Sequence, residues 1–121
     1  MKLRRPVILG LLALLMTVPS VAAEETASQR LHELFEREWK HRLAESPQMA
    51  SAVGVHGAND RLGSFSMEAL ERRHRRTLEF LAELDAITPE SLCEEDRINA
   101  AIFRDQLEDR VAGFEFGAYQ V

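Results

Sequence analysis

The chain has 121 residues, with 15 Lys and Arg against 20 Asp and Glu and a net charge of −5 at pH 7. That balance excludes a phosphate-tracking nucleic-acid binder, which needs clustered cations, and it argues equally against an anionic membrane surface. A single cysteine, Cys93, rules out an internal disulfide framework, so stability must come from packing or from more chain.

Residues 1–23 read as a secretory signal peptide. Lys2, Arg4 and Arg5 form a basic start, Val7 to Met16 an apolar run, and Val21 and Ala23 are the small residues a signal peptidase reads. The run is shorter than the ~20 apolar residues that span a bilayer, so cleavage after Ala23 is expected rather than a retained anchor. Arg4-Arg5 is not a twin-arginine signal, because Pro6 follows and no Ser or Thr precedes. No cysteine near the cleavage point suggests a lipoprotein. The mature protein is expected to be periplasmic or secreted, with no membrane attachment. Removing three of the 15 basic residues and none of the 20 acidic ones leaves it at −8.

Glu24 to Ser28 is a polar lead-in, with Ser28 placed to cap a helix that runs to about Glu45. Leu31, Leu34, Phe35, Trp39 and Leu43 recur along it at helical spacing. Pro47 disfavours helical geometry at Ser46 and can itself open a new turn. Met49, Ala50, Ala52 and Val53 give that turn an apolar face. Gly54 and Gly57 then end it, and Asn59-Asp60 supply turn chemistry.

Ser66 begins a third helix, reaching Asp85, whose stripe is Met67, Leu70, His74, Leu78, Leu81 and Leu84. Its arginines, Arg72, Arg73, Arg75 and Arg76, are interleaved with Glu68, Glu71 and Glu79 and read as a solvated face. Thr88-Pro89-Glu90-Ser91 separates it from a fourth helix over Glu94 to Val111. That helix is apolar on two sides, Ile98, Ala101 and Ile102 on one, and Phe103, Leu107, Val111 and Phe114 on the other. Such a helix expects neighbours on both sides. The chain closes on Phe114, Phe116 and Tyr119 without a polar tail, so residues 24–121 are expected to be a truncated piece. The fold class is all-α: three to four amphipathic helices forming the N-terminal segment of a larger helical protein.

No pattern in the chain specifies a reaction. His32-Glu33 lacks the second histidine of a His-Glu-x-x-His zinc helix. Two Glu-x-x-His steps, Glu38 to His41 and Glu71 to His74, have the spacing of a di-metal carboxylate bundle. His41 and Glu71, however, fall toward the edges of their stripes. The bland reading makes His74 a packed histidine and Glu38 a carboxylate reaching out beside Trp39. Cys93 is followed by Glu94, Glu95 and Asp96, which oppose a thiolate. Gly54 and Gly57 are not followed by the Lys-Ser or Lys-Thr of a phosphate loop. No catalytic, cofactor-binding or metal residue is therefore assigned, and no cofactor is expected in this chain.

The order of features nevertheless points to a family. Phe35 and Trp39 precede Ser46-Pro47, Gly54-x-His56 and Asn59-Asp60-Arg61-Leu62. Phe80-Leu81-x-x-Leu84, Glu95-Asp96-Arg97-Ile98-Asn99 and Phe116-Gly117-Ala118-Tyr119-Gln120 follow. Together they resemble the amino-terminal part of the bacterial domain-of-unknown-function 885 family, over essentially the whole mature chain but only about the front fifth of a typical member. The resemblance implies a large, exported, mostly helical protein similar to zinc metallopeptidases, with its zinc on a His-Glu-x-x-Pro-Gly-His helix downstream. No residue here matches that motif. Zinc is thus implied only for the full-length form, as is a peptide substrate, and the partner of these helices would be the missing C-terminal part. Within the resemblance, Gly54 to Leu62 is the loop to watch for substrate contact, with His56 its imidazole. The alternatives are a small non-catalytic helical periplasmic binding or scaffold protein and, more weakly, the di-metal bundle.

Overall fold

The computed structural model describes residues 26–57 and 60–120; the expected signal peptide and Asn59 lie outside them. The described residues form four α-helices: α1 (Ala27–Glu45), α2 (Pro47–Ala52), α3 (Met67–Asp85) and α4 (Glu94–Glu115). Short 3-10 turns at Pro89–Ser91 and Ala118–Gln120 complete it, and the described residues contain no strand. No helix among them is long and apolar enough to cross a membrane.

α1 starts earlier than Ser28 would have it. Thr26 is the cap: its Oγ1 accepts from the Gln29 backbone N–H at 3.2 Å, and Gln29 Oε1 accepts from the Thr26 N–H at 2.8 Å. Both halves of this capping box need a Gln or Glu three residues after the cap, which Thr26 has and Ser28, followed by Leu31, does not. Pro47 opens α2, and Gly54, in the left-handed region at φ 84°, lets the chain leave it. Ser66 caps α3 as expected, accepting from Ala69 N–H at 3.2 Å.

Side-chain pairs fix the helix directions. His74 meets Phe114 and Asp85 meets Arg104, so α3 and α4 are antiparallel. His32 meets Asp96, Phe35 meets Phe103 and Glu38 meets Arg110, so α1 runs parallel to α4. Arg37 meets Glu83 and Glu45 meets Arg72, so it runs antiparallel to α3. The result is a three-helix bundle, with α2 turning the corner between α1 and α3.

The core is made of Ala27, Leu31 and Leu34 from α1, Phe80 and Leu84 from α3, Ile87 and Leu92 from the connection, and Phe103 and Leu107 from α4. Phe35 seals one side edge-on against Phe103, with ring centroids 4.8 Å apart at 71°. Each fully buried large apolar side chain contributes about 1.5–3 kcal/mol relative to exposure.

Two expected faces are corrected. On α3 the buried residues are Ala69, Phe80 and Leu84, while Met67 and Leu78 are exposed. α3 meets α1 on one flank and α4 on the other. The line between those contacts, rather than the simple apolar stripe, is what goes under cover. On α4 the helix continues past Val111 to Glu115, and only one of its two apolar sides is buried. Ile98 and Ile102 remain 56% and 52% exposed. At the end of the chain Phe114 is half-buried, whereas Phe116 is 87% exposed.

Candidate functional site

The chemically densest region lies where α1, α3 and α4 come together around Glu38. Periodicity brings Glu38 into the same buried line as Leu31 and Leu34, and it is 2% exposed. Its carboxylate accepts from Arg42 Nη2 at 3.0 Å and from Arg110 Nη1 at 2.5 Å. Two turns along α1, Glu45 accepts from Arg72 Nη2 at 3.0 Å and Arg73 Nε at 3.1 Å. Two carboxylates are thus each shared by two guanidinium groups. Arg42 also lies over the Trp39 ring, 5.0 Å from its centroid, and its Nε is buried with no acceptor. Arg110 Nε donates to the Gln106 carbonyl, and Arg73 Nη2 to the Ser64 carbonyl.

Glu38, Arg42, Glu45, Arg73 and Arg110 line a cavity of about 140 Å³ that also touches His41, Ser46 and Thr77. Through Arg73, Thr77 and Arg110 it opens into a wider groove of about 400 Å³. The far wall of that groove is aromatic. His74 stacks on Phe114 at 4.2 Å and 17°, and Phe114 stacks on Tyr119 at 5.5 Å and 28°. His74 is half-buried, and its Nδ1 has no hydrogen-bond partner.

The electrostatics of the bundle respond to acid at three places. Burial lowers the pKa of His41 below its ordinary 6.5; Arg76 and Arg72 push the same way against Glu45 and Glu38. Burial alone would raise Glu45, but hydrogen bonds from Arg72 and Arg73 hold it below its ordinary value. At the other end of α1, buried Asp96 is lowered by hydrogen bonds from Ser28 and from His32, whose Nε2 lies 2.8 Å from Oδ1.

All three effects carry the same sign. Below pH 6.5 the unfolded chain protonates His41 while the folded chain resists, so stability falls as acid is added. The lowered carboxylates contribute stability above their ordinary values of 4.5 and 3.8, and it is lost as pH drops through their folded-state values. Thermal melts are expected to show two declines, one beginning near pH 6.5 and one in stronger acid. His41→Gln should flatten the first and leave the second.

The residues singled out in the sequence fare differently. Glu38 does not reach out; it is buried, because Arg42 lies four residues on and Arg110 comes to it from α4. Its oxygens are therefore occupied by guanidinium groups, and Glu71 is exposed. Among the described residues no three His, Cys, Asp or Glu side chains gather as metal ligands would. His56 is exposed in the loop after α2, and Leu62 is 83% exposed. Cys93 is exposed at the start of α4. The pairing of Glu38 with arginines is a feature that the helical stripes do not carry. The signal for Arg42 was its i, i+4 spacing from Glu38; Arg110 lies 72 residues from Glu38, and no local pattern links them.

Comparison with known proteins returns one family. The model of that family, described as "Bacterial protein of unknown function (DUF885)", matches residues 47–121. The match begins at Pro47, so α1 lies outside it, a narrower reach than the motifs suggest. No curated protein and no solved structure matches the chain. Ser46-Pro47, the α3 and α4 motifs and the closing aromatic stretch all fall on or next to the matched region, and the chain belongs to the DUF885 family of bacterial proteins of unknown function.

Proposed function

We propose that these helices are the N-terminal wall of an exported peptide hydrolase of the zinc-peptidase kind, contributing shape and support but no catalytic group. The observation that carries this reading is the uncovered side of α4. Ile98 and Ile102 are more than half exposed on a helix whose opposite side, Phe103 and Leu107, is buried. Membership of the family supports it, as do the basic start and apolar run of the first 23 residues, read as an export signal. The zinc implied by the resemblance finds no ligand set among the described residues, so no step of the chemistry is assigned to them.

The test starts from the DNA beyond the Val121 codon, read in every frame. A continuation carrying His-Glu-x-x-Pro-Gly-His, whose product binds zinc and cleaves peptides, is the expected result. In that longer protein Ile102→Glu should cost about 1–3 kcal/mol, because it places a charge under cover. In the present chain the same change should stay within about 0.5 kcal/mol. No such continuation, or an equal and small effect in both proteins, would overturn the reading in favour of a self-contained scaffold.

A further inference from the structure

The charges around the cavity between α1, α3 and α4 do not balance. Its walls carry two carboxylates, Glu38 and Glu45, and three guanidinium groups, Arg42, Arg73 and Arg110, while Arg72 reaches Glu45 from outside the lining. Other acids nearby do not close the gap. Glu68 acts on Arg72 from outside, Glu79 and Glu83 are engaged with Arg76, and Asp109 lines only the outer groove. The donors are also unspent. A guanidinium carries five N–H groups, yet Arg42 gives one hydrogen bond, to Glu38, and keeps a buried Nε with no acceptor.

The shape around this surplus is specific. The inner chamber, about 140 Å³, is several times the ~30 Å³ share of one water molecule. It is thus roomy enough for a carboxylate. It leads past Arg73 and Arg110 onto the flat stack of Phe114 and Tyr119, beside Leu70. A planar anion at one end and a ring at the other would match both halves, since carboxylates suit guanidinium forks and rings stack on rings.

We propose that this groove binds an organic carboxylate bearing an aromatic body, with the carboxylate held by Arg42, Arg73 and Arg110 and the ring against Phe114 and Tyr119. The proposal does not depend on the hydrolase reading. It rests on the surplus of guanidinium groups lining the cavity and on the aromatic wall beside it.

Trp39, the chain's one tryptophan, lies under Arg42 and serves as the reporter. The full chain is titrated with N-acetyl-L-phenylalanine, with its uncharged amide, with acetate and with inorganic phosphate, following tryptophan emission and calorimetry. The acid is expected to bind with a Kd of about 1 mM and the amide at least ~10-fold more weakly, the worth of one charge-assisted contact. Arg73→Gln, which leaves Arg72 on Glu45, should weaken the acid at least ~10-fold. Phe114→Ala should weaken the acid and leave acetate unchanged. Equal binding of acid and amide on the unaltered chain would overturn the proposal, whatever the variants do. So would no saturable binding, or phosphate binding as tightly as the acid.

Discussion

Phe80→Ala is expected to destabilise the bundle by about 3–5 kcal/mol, the range for truncating a fully buried aromatic. Phe80 is 1% exposed and sits where all three long helices share cover. Arg76 lies over its ring at 4.2 Å and the His41 ring is 5.8 Å away, so its removal opens a void edged by charged and polar groups. Stabilities of small domains run to about 5–15 kcal/mol, so a loss of this size takes a large share of the total. Leu78→Ala is the control. Leu78 is 42% exposed, and its truncation should cost under about 1 kcal/mol. Urea unfolding of both variants decides the matter. Equal effects would mean that α3 is rotated relative to the packing described here.

That contrast shows what was legible in the sequence and what was not. Apolar spacing alone put Leu78 in the stripe of α3 and passed over Phe80. It located the helix correctly, since Ser66 as a cap and the break at Thr88-Pro89 are local signals. Which line of a helix is buried depends on where its neighbours lie, and that information is spread over contacts distant in sequence. The same limit applied to α4. Its two apolar sides were legible as such, but the chain covers only one of them.

The site followed the same rule. His74 was legible as a packed histidine because it falls at the centre of its stripe, and the structure gives it Phe114 as a partner. Glu38 was visible within the stripe of α1, yet a carboxylate there has two readings, reaching out or buried with partners. The choice between them turned on Arg110, and loop closure over so long a span leaves no periodic trace. The capping box was legible and missed: Thr26 followed by Gln29 is the signature, whereas Ser28 offered only a capping residue without its reciprocal partner.

Glu38→Gln should cost about 2–3 kcal/mol, less than the 3–5 kcal/mol usual for breaking a fully buried pair. The carboxylate is almost completely covered, but Arg42 and Arg110 are about a third exposed, so part of their charge returns to water once the anion is gone. Surface screening is correspondingly weak at Glu38 itself, and added salt should change the loss little. A double-mutant cycle with Arg110→Met separates the pair from its surroundings. The two changes together should cost at least about 1 kcal/mol less than their sum, because Glu38→Gln already removes the charge pair that Arg110→Met would break, while Arg42 loses its carboxylate equally in the Glu38→Gln and double variants. The consequence reaches beyond stability. α1 lies outside the family-matched residues, and Arg110 lies within them, so this ion pair is a direct polar tie between α1 and the matched region. Strict additivity in the cycle would mean that Arg110 adds no net hold on α1, leaving Leu31, Leu34 and the contacts of His32, Arg37 and Glu45 to keep the helix in place.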